Sequence, residues 1–224
     1  MHICLFDIDG TLIHTRGAGM IAMRNGLRNA FQVARPTDSV AVHGRTDRGI
    51  TRDMFQAHGI DDTTENWQRL RDAYYQLLPE SLTTRPGVLL PGVTELLETL
   101  TRRSDVAVGL LTGNAQQGAR IKLAHFGIEH YFRFGGFGDQ HFERDDVARE
   151  ALTAARQHVA REIDLDRVWV IGDTPTDVSC GRAIGARTIA VLTGNHSRAE
   201  LEAAHPDLLL DDLTDHTPLL ALWN

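Results

Sequence analysis

The stretch HICLFDIDGTL, residues 2–12, decides how the rest of the chain is read. Its opening HICLFD (2–7) is an apolar run closed by an acid, too short for a helix and continuous enough for a strand buried on both faces. Three further runs follow the same plan. DVAVGLL (105–111) ends at Thr112-Gly113-Asn114, RVWVIG (167–172) ends at Asp173, and RTIAVL (187–192) ends at Thr193-Gly194-Asn195. Residues 131–137 and 207–210 are weaker strand candidates. Helical patterns lie at about 92–103, 115–126, 145–161 and 176–184. Strands alternating with helices predict an α/β fold with a parallel sheet covered on both faces.

Residues 15–85 break that rhythm. Residues 17–33, 47–57 and 63–82 all carry helical patterns, and no buried strand is evident between them. The expected organisation is a Rossmann-like, doubly wound core from residues 1–14 and 86–224, with an all-helical cap over 15–85. Trp67, Tyr74 and Tyr75 fall at helical spacing and read as core of that cap.

Composition excludes several classes. A chain of 224 residues that is 42% hydrophobic and 24% charged can bury a real core. It has no apolar run of membrane-spanning length and no signal-like amino terminus, so no membrane association and a cytoplasmic location are expected. The net charge of −7 disfavours nucleic acid as a partner. Cys4 and Cys180 read as buried free thiols. Of 23 basic residues, only Lys122 is a lysine, so a mechanism that needs a lysine has one candidate. The oligomeric state is not written in the sequence.

Ligands of open parallel sheets bind beyond the carboxyl ends of the strands. Here those ends deliver Asp7 and Asp9, Thr112 and Asn114, and Asp173 and Asp177. Acids converging from distant segments repel unless a cation holds them. Oxygen donors with no histidine or cysteine among them select a hard cation, magnesium first.

Phe6-Asp7-Ile8-Asp9-Gly10-Thr11-Leu12 resembles the first motif of the haloacid dehalogenase-like hydrolase superfamily. Leu111-Thr112-Gly113-Asn114 is similar to its second motif, and Ile171-Gly172-Asp173-Thr174-Pro175-Thr176-Asp177 to its fourth. They occur in the family's order over essentially the whole chain, and residues 15–85 fall where helical-cap members carry their cap. The resemblance is to the phosphoglycolate phosphatase-like branch. It implies that Asp7 attacks phosphorus to form an aspartyl-phosphate, and that Asp9 protonates the leaving group and then activates water. It places Mg²⁺ on carboxylate oxygens of Asp7 and Asp173 and the backbone carbonyl of Asp9, with Asp177 orienting the site or touching the metal. Thr112, with the amides of Gly113 and Asn114 at a helix start, would bind the phosphoryl group.

The third motif departs from the family, which normally supplies a lysine there. Arg144, 29 residues before Asp173 and just ahead of an expected helix, takes that place. Lys122 is the rival, but it lies inside the preceding helix and reads as a solvated helix-face lysine. In the cap, His43-Gly44-Arg45-Thr46-Asp47 offers a tight turn, with Arg45 as an anion contact and Asp47 as a cap for the next helix.

The resulting expectation is a phosphatase for a small phosphorylated metabolite. A sugar phosphomutase, a pyrophosphatase or nucleotidase, and a noncatalytic phospho-ligand binding protein are the alternatives. A dehalogenase lacks an acid at the position of Asp9, and a phosphonoacetaldehyde hydrolase needs a cap lysine that residues 15–85 do not contain.

Overall fold

In the computed structural model, which describes residues 1–223, the opening run forms β1 (His2–Phe6), buried at all five positions. A two-residue strand, β2 (Ile13–His14), leads into α1 (Ala18–Phe31), α2 (Asp47–Ala57) and α3 (Thr64–Thr84). The chain returns through β3 (Val88–Leu89), which pairs antiparallel with β2 and closes the two connections between cap and core. The remainder alternates as the sequence predicts: α4 (Val93–Thr101), β4 (Val106–Leu111), α5 (Gln116–His125), β5 (Gly135–Gly136), α6 (Arg144–Val159) and β6 (Val168–Gly172). Then come α7 (Pro175–Ala183), β7 (Arg187–Val191), α8 (Arg198–Ala203), β8 (Leu208–Leu210) and α9 (Thr217–Ala221).

The six-stranded sheet runs β5-β4-β1-β6-β7-β8, all parallel. Chain order reverses on either side of β1, so the crevice for a ligand opens at the carboxyl end of that strand. Side chains alternate along β1: Ile3 and Leu5 join one core with Val147, Ala151 and Val170, while Cys4 and Phe6 join the other with Leu96, Leu100 and Ile171. Cys4 and Cys180 are buried free thiols on opposite faces of the sheet.

Helices α1 and α3 bury a core of their own around Ala22, Leu27, Leu70 and Tyr74, joined by Met54 and Phe55 from α2. Gly26 lets α1 and α3 approach, since a Cβ there would lie 3.2 Å from the Tyr74 backbone nitrogen. The strand expected over residues 131–137 shrinks to Gly135–Gly136. Residues 129–131 form a 3-10 turn instead, and the Phe134 ring covers the face of Gly109 on β4. Among the described residues no helix is long and apolar enough to cross a membrane.

Candidate active site

Regular strand geometry stops at Phe6, so Asp7 and Asp9 are not two residues on one strand face. The Asp7 amide still bonds the Ile171 carbonyl at 2.9 Å, which continues the β1–β6 line by one residue. The chain then curls back: Leu12 N donates to Ile8 O at 2.9 Å and Gly10 N to Ile13 O at 2.8 Å. Gly10 sits at φ 88°, and a Cβ there would overlap the Asp173 carboxylate. This turn sends the two acids to different partners.

Asp7, Asp173 and Asp177 each present a carboxylate oxygen, and these oxygens lie within 4.8 Å of one another. Burial, together with Asp177 and Asp7, raises Asp173 to about 8. Burial, Asp177 and Asp9 likewise raise Asp7 to about 7, against the pull of Arg144. Such a buried, all-oxygen, mutually repelling set fits a hard divalent cation. Thr11 Oγ1 steadies Asp173 at 3.2 Å. Asp177 divides its oxygens: Oδ2 accepts the Thr174 amide at 3.1 Å and hydroxyl at 2.7 Å in a capping box, while Oδ1 accepts from Arg144. It therefore both completes the capping box that Thr174 opens on α7 and belongs to the acidic cluster.

Arg144, the first residue of α6, is buried and reaches Asp7 Oδ1 at 3.3 Å, Asp177 Oδ1, and the Leu111 carbonyl at 3.3 Å. Burial opposes its charge, but Asp177 and Asp7 raise its pKa further.

Lys122 is not a solvated helix-face lysine. Only 5% exposed, it lies with Gly118, Ala119 and Leu123 on the buried face of α5. Its Nζ is 2.6 Å from Asp9 Oδ2 and 2.5 Å from Asn114 Oδ1. Helical side chains lean toward the helix amino terminus, so a four-carbon stem in the second turn reaches back to the strand ends. Burial would raise Asp9, but Lys122, with hydrogen bonds from Asn114 and Thr15, takes it below the usual carboxylate range. The 3.6-residue pattern of α5 already places Lys122 beside Ala119 and Leu123, a signal that outweighs the polarity of the residue.

Thr112 is fully buried, and its Oγ1 accepts from Asn114 Nδ2 at 2.9 Å and Asn114 N at 3.3 Å. Asn114 Nδ2 also donates to Asp9 Oδ2 at 2.8 Å. Residues 112–114 precede α5 rather than start it. The amides at the helix start are taken by acids: Ala115 N by Asp47 Oδ2 at 2.8 Å, and Gln116 N by Asp139 Oδ2 at 2.5 Å.

Asp47 therefore does not cap α2. Thr46 does, accepting Gly49 N at 3.0 Å, while Asp47 crosses to the core. The Asp47 amide donates to Gly113 O at 2.7 Å, the Arg48 amide to Gly138 O at 3.2 Å, and the Thr46 hydroxyl to Phe142 O at 3.1 Å. Arg48 and Arg52 both lie 4.5 Å from the Phe142 ring centroid. Gly113 permits this closeness, because a Cβ there would overlap the Arg45 carbonyl. Arg45 itself lines the cavity, its guanidinium paired with Asp53 at 2.9 Å. The cavity between cap and core, ≈ 200 Å³, has Asp7, Asp9 and Asp173 on its floor and Met20, Val42 and Tyr74 in its upper wall.

The family model for haloacid dehalogenase-like hydrolases matches residues 4–191. A phosphoglycolate phosphatase of Synechococcus elongatus is 30% identical over 96% of this chain and 95% of its own length. A pyrophosphatase PpaX of Bacillus mycoides is 23% identical over 98% and 97%. The crystal structure of a hydrolase from Pseudomonas syringae superposes with a TM-score of 0.73 at 23% identity, covering 99% of this chain and 98% of that one.

Proposed function

The chain belongs to the haloacid dehalogenase-like hydrolases, and on that premise we propose that it is a magnesium-dependent phosphatase acting on a small phosphorylated metabolite through an aspartyl-phosphate on Asp7. One observation carries the reading. Two acids that are two residues apart have different partners: Asp7 lies in the acidic cluster with Asp173 and Asp177 and meets Arg144, whereas Asp9 bonds Lys122 and Asn114. An acid beside a cation-binding cluster suits nucleophilic attack, and one turned away from it suits proton transfer.

Asp7, Asp173 and the backbone carbonyl of Asp9 would hold Mg²⁺, with Asp177 beside them. The ion would offset the cluster's negative charge and that of the phosphoryl group. In the first step an Asp7 oxygen bonds to phosphorus, the phosphorus–oxygen bond to the leaving group breaks, and Asp9 gives its proton to the departing oxygen. A bound phosphate dianion favours the protonated Asp9 that this step needs, because like charges raise a carboxyl's proton affinity. In the second step Asp9 takes a proton from water, whose oxygen attacks phosphorus and releases Asp7. Arg144 meets the charge on Asp7, and the Gly113 amide and the Thr112 hydroxyl proton would orient the phosphoryl oxygens, while the Asn114 amide holds Thr112 Oγ1 in place.

Arg45, which lines the cavity and pairs with Asp53, would touch an anionic group on the leaving portion. The small cavity favours compact phosphate esters over nucleotides. The name of the Synechococcus relative puts phosphoglycolate first among candidates, and that of the Bacillus relative makes pyrophosphate the next to test.

Phosphate release should be measured from phosphoglycolate, sugar phosphates, pyrophosphate and nucleotides, in Mg²⁺ and in excess chelator. Release in Mg²⁺ from a compact ester, abolished by chelation, is the expected result. Full activity in chelator overturns the metal assignment. Transfer to a second sugar hydroxyl instead of water identifies a mutase, and silence toward every donor leaves the binding-protein alternative.

A further inference from the structure

Resting on the reading of Asp9 as the proton-transfer residue, we propose that Lys122 is its positioning residue. In this assignment the two buried cations divide the work: Arg144 serves Asp7, and Lys122 with Asn114 serves Asp9.

One oxygen of Asp9, Oδ2, takes both Lys122 Nζ at 2.6 Å and Asn114 Nδ2 at 2.8 Å. Lys122 and Asn114 also bond each other at 2.5 Å, so three side chains close a ring of donors and acceptors. Asn114 is tied in turn to the buried Thr112 hydroxyl at 2.9 Å. A carboxylate whose Oδ2 is held by two donors loses its rotational freedom, which fixes the direction in which it can exchange a proton. Proton transfer is sensitive to such placement, because donor and acceptor must meet within hydrogen-bond reach.

The cap covers this arrangement. A Cβ on Gly19 of α1 would lie 3.3 Å from Lys122 Nζ, and one on Gly118 would lie 3.1 Å from the Tyr74 ring. Small residues at both positions let α1 and Tyr74 close over the ammonium. Burial of the ammonium strengthens its attraction to Asp9, whose carboxylate opens onto the cavity. Lys122 contacts Asp9 and Asn114, whereas the contacts to Asp7 come from Arg144, so the two cations act through different acids.

The test compares wild type with Lys122→Met, Lys122→Gln and Lys122→Arg on an alkyl phosphate and on an activated aryl phosphate, both in Mg²⁺. Steady turnover and the phosphoenzyme, seen by rapid-quench intact mass, are read together. Lys122→Met should lose about a hundredfold on the alkyl phosphate, the order of a general acid–base contribution. From the aryl phosphate, whose leaving group needs little protonation, Asp7 should still be phosphorylated. The phosphoenzyme should then accumulate above the wild-type level, because the second step lacks a placed base. Lys122→Arg should recover part of the alkyl rate. Should Lys122→Met fail to fold, Lys122→Gln, which keeps a donor one atom shorter but not the charge, carries the same comparison. Equal losses on both donors without phosphoenzyme accumulation overturn the assignment and leave Lys122 as a cap-docking or Asp7-directed group. A wild type that releases phosphate from neither donor overturns the functional reading itself, and this inference with it.

Discussion

The carboxylate of Asp47 and the amide of Ala115 meet at 2.8 Å across the boundary between cap and core, at the edge of the cavity. Asp47 is 8% exposed, and burial raises it to about 6 despite Lys122 and the Ala115 hydrogen bond. The amides of Asp47 and Arg48 point into the core loops at the same place. The first turn of a cap helix thus docks on the start of a core helix, with an acid at the positive end of each.

Replacing Asp47 separates its hydrogen bond from its charge. Asp47→Ala strands the Ala115 amide and should cost about 1–3 kcal/mol, measured by denaturant unfolding. Asp47→Asn keeps an acceptor and removes a carboxylate that is costly to bury ionised. At about pH 8, above the folded-state value, it should therefore be at least as stable as wild type. An Asn variant as unstable as the Ala variant at that pH would show that the charge itself holds the cap.

Magnesium should stabilise the fold in a pH-dependent way. Asp7 and Asp173 rise from 3.8 to about 7 and about 8, and Asp47 shifts the same way to about 6. Between about pH 4 and 8 the metal-free folded protein binds more protons than the unfolded chain, so its stability falls as pH rises through that window. Asp9, lowered instead, adds stability that is lost only in acid below the usual carboxylate range. Thermal melts should show Mg²⁺ raising Tm more at about pH 8 than at about pH 5.5, with about 2.7 kcal/mol gained at a hundredfold excess over Kd. A Tm unmoved by Mg²⁺ at the higher pH counts against the metal site.

Asp7→Asn should abolish turnover for every phosphate ester, because an amide is a far poorer nucleophile. Asp9→Asn should fail on alkyl phosphates yet still become phosphorylated by an activated aryl or acyl donor. Intact-mass measurement should then find the added phosphate while steady turnover collapses. Wild-type rates on an alkyl phosphate in Asp9→Asn would remove Asp9 from proton transfer.

Arg144 bridges Asp7 and Asp177, so Arg144→Ala should slow phosphorylation of Asp7 from alkyl and aryl donors alike. A loss of about 10²–10³ in kcat is the scale of removing one preorganised charge from the transition state. Arg144→Lys should recover only part, since one ammonium cannot span two carboxylates as a guanidinium fork does. Single-turnover rates on both donors check this. A loss confined to alkyl phosphates would exchange the roles assigned to Arg144 and Lys122.

The sequence alone predicts the strands that end before Asp7, Thr112 and Asp173 and the helices within residues 15–85, because these depend on local patterns. An uninterrupted apolar run buries as a central strand, and the first polar residue after it emerges at the strand end. β1, β4, β6 and β7 follow that rule to within one residue at each end. Residues 131–137 fail it because Phe134 is used to cover Gly109, which pattern along the chain does not reveal. Tertiary structure alone decided which cation meets which acid. Lys122 and Asp9 are 113 positions apart, and Arg144 and Asp7 are 137. Their pairing is set by how far α5 and α6 slide along the sheet and by glycines that let the cap close. The same holds for Asp47, whose polarity and position read as a local helix cap until α5 is packed beside it. A long side chain in a packed interface is placed by the elements around it, so no window of neighbouring residues contains its partner.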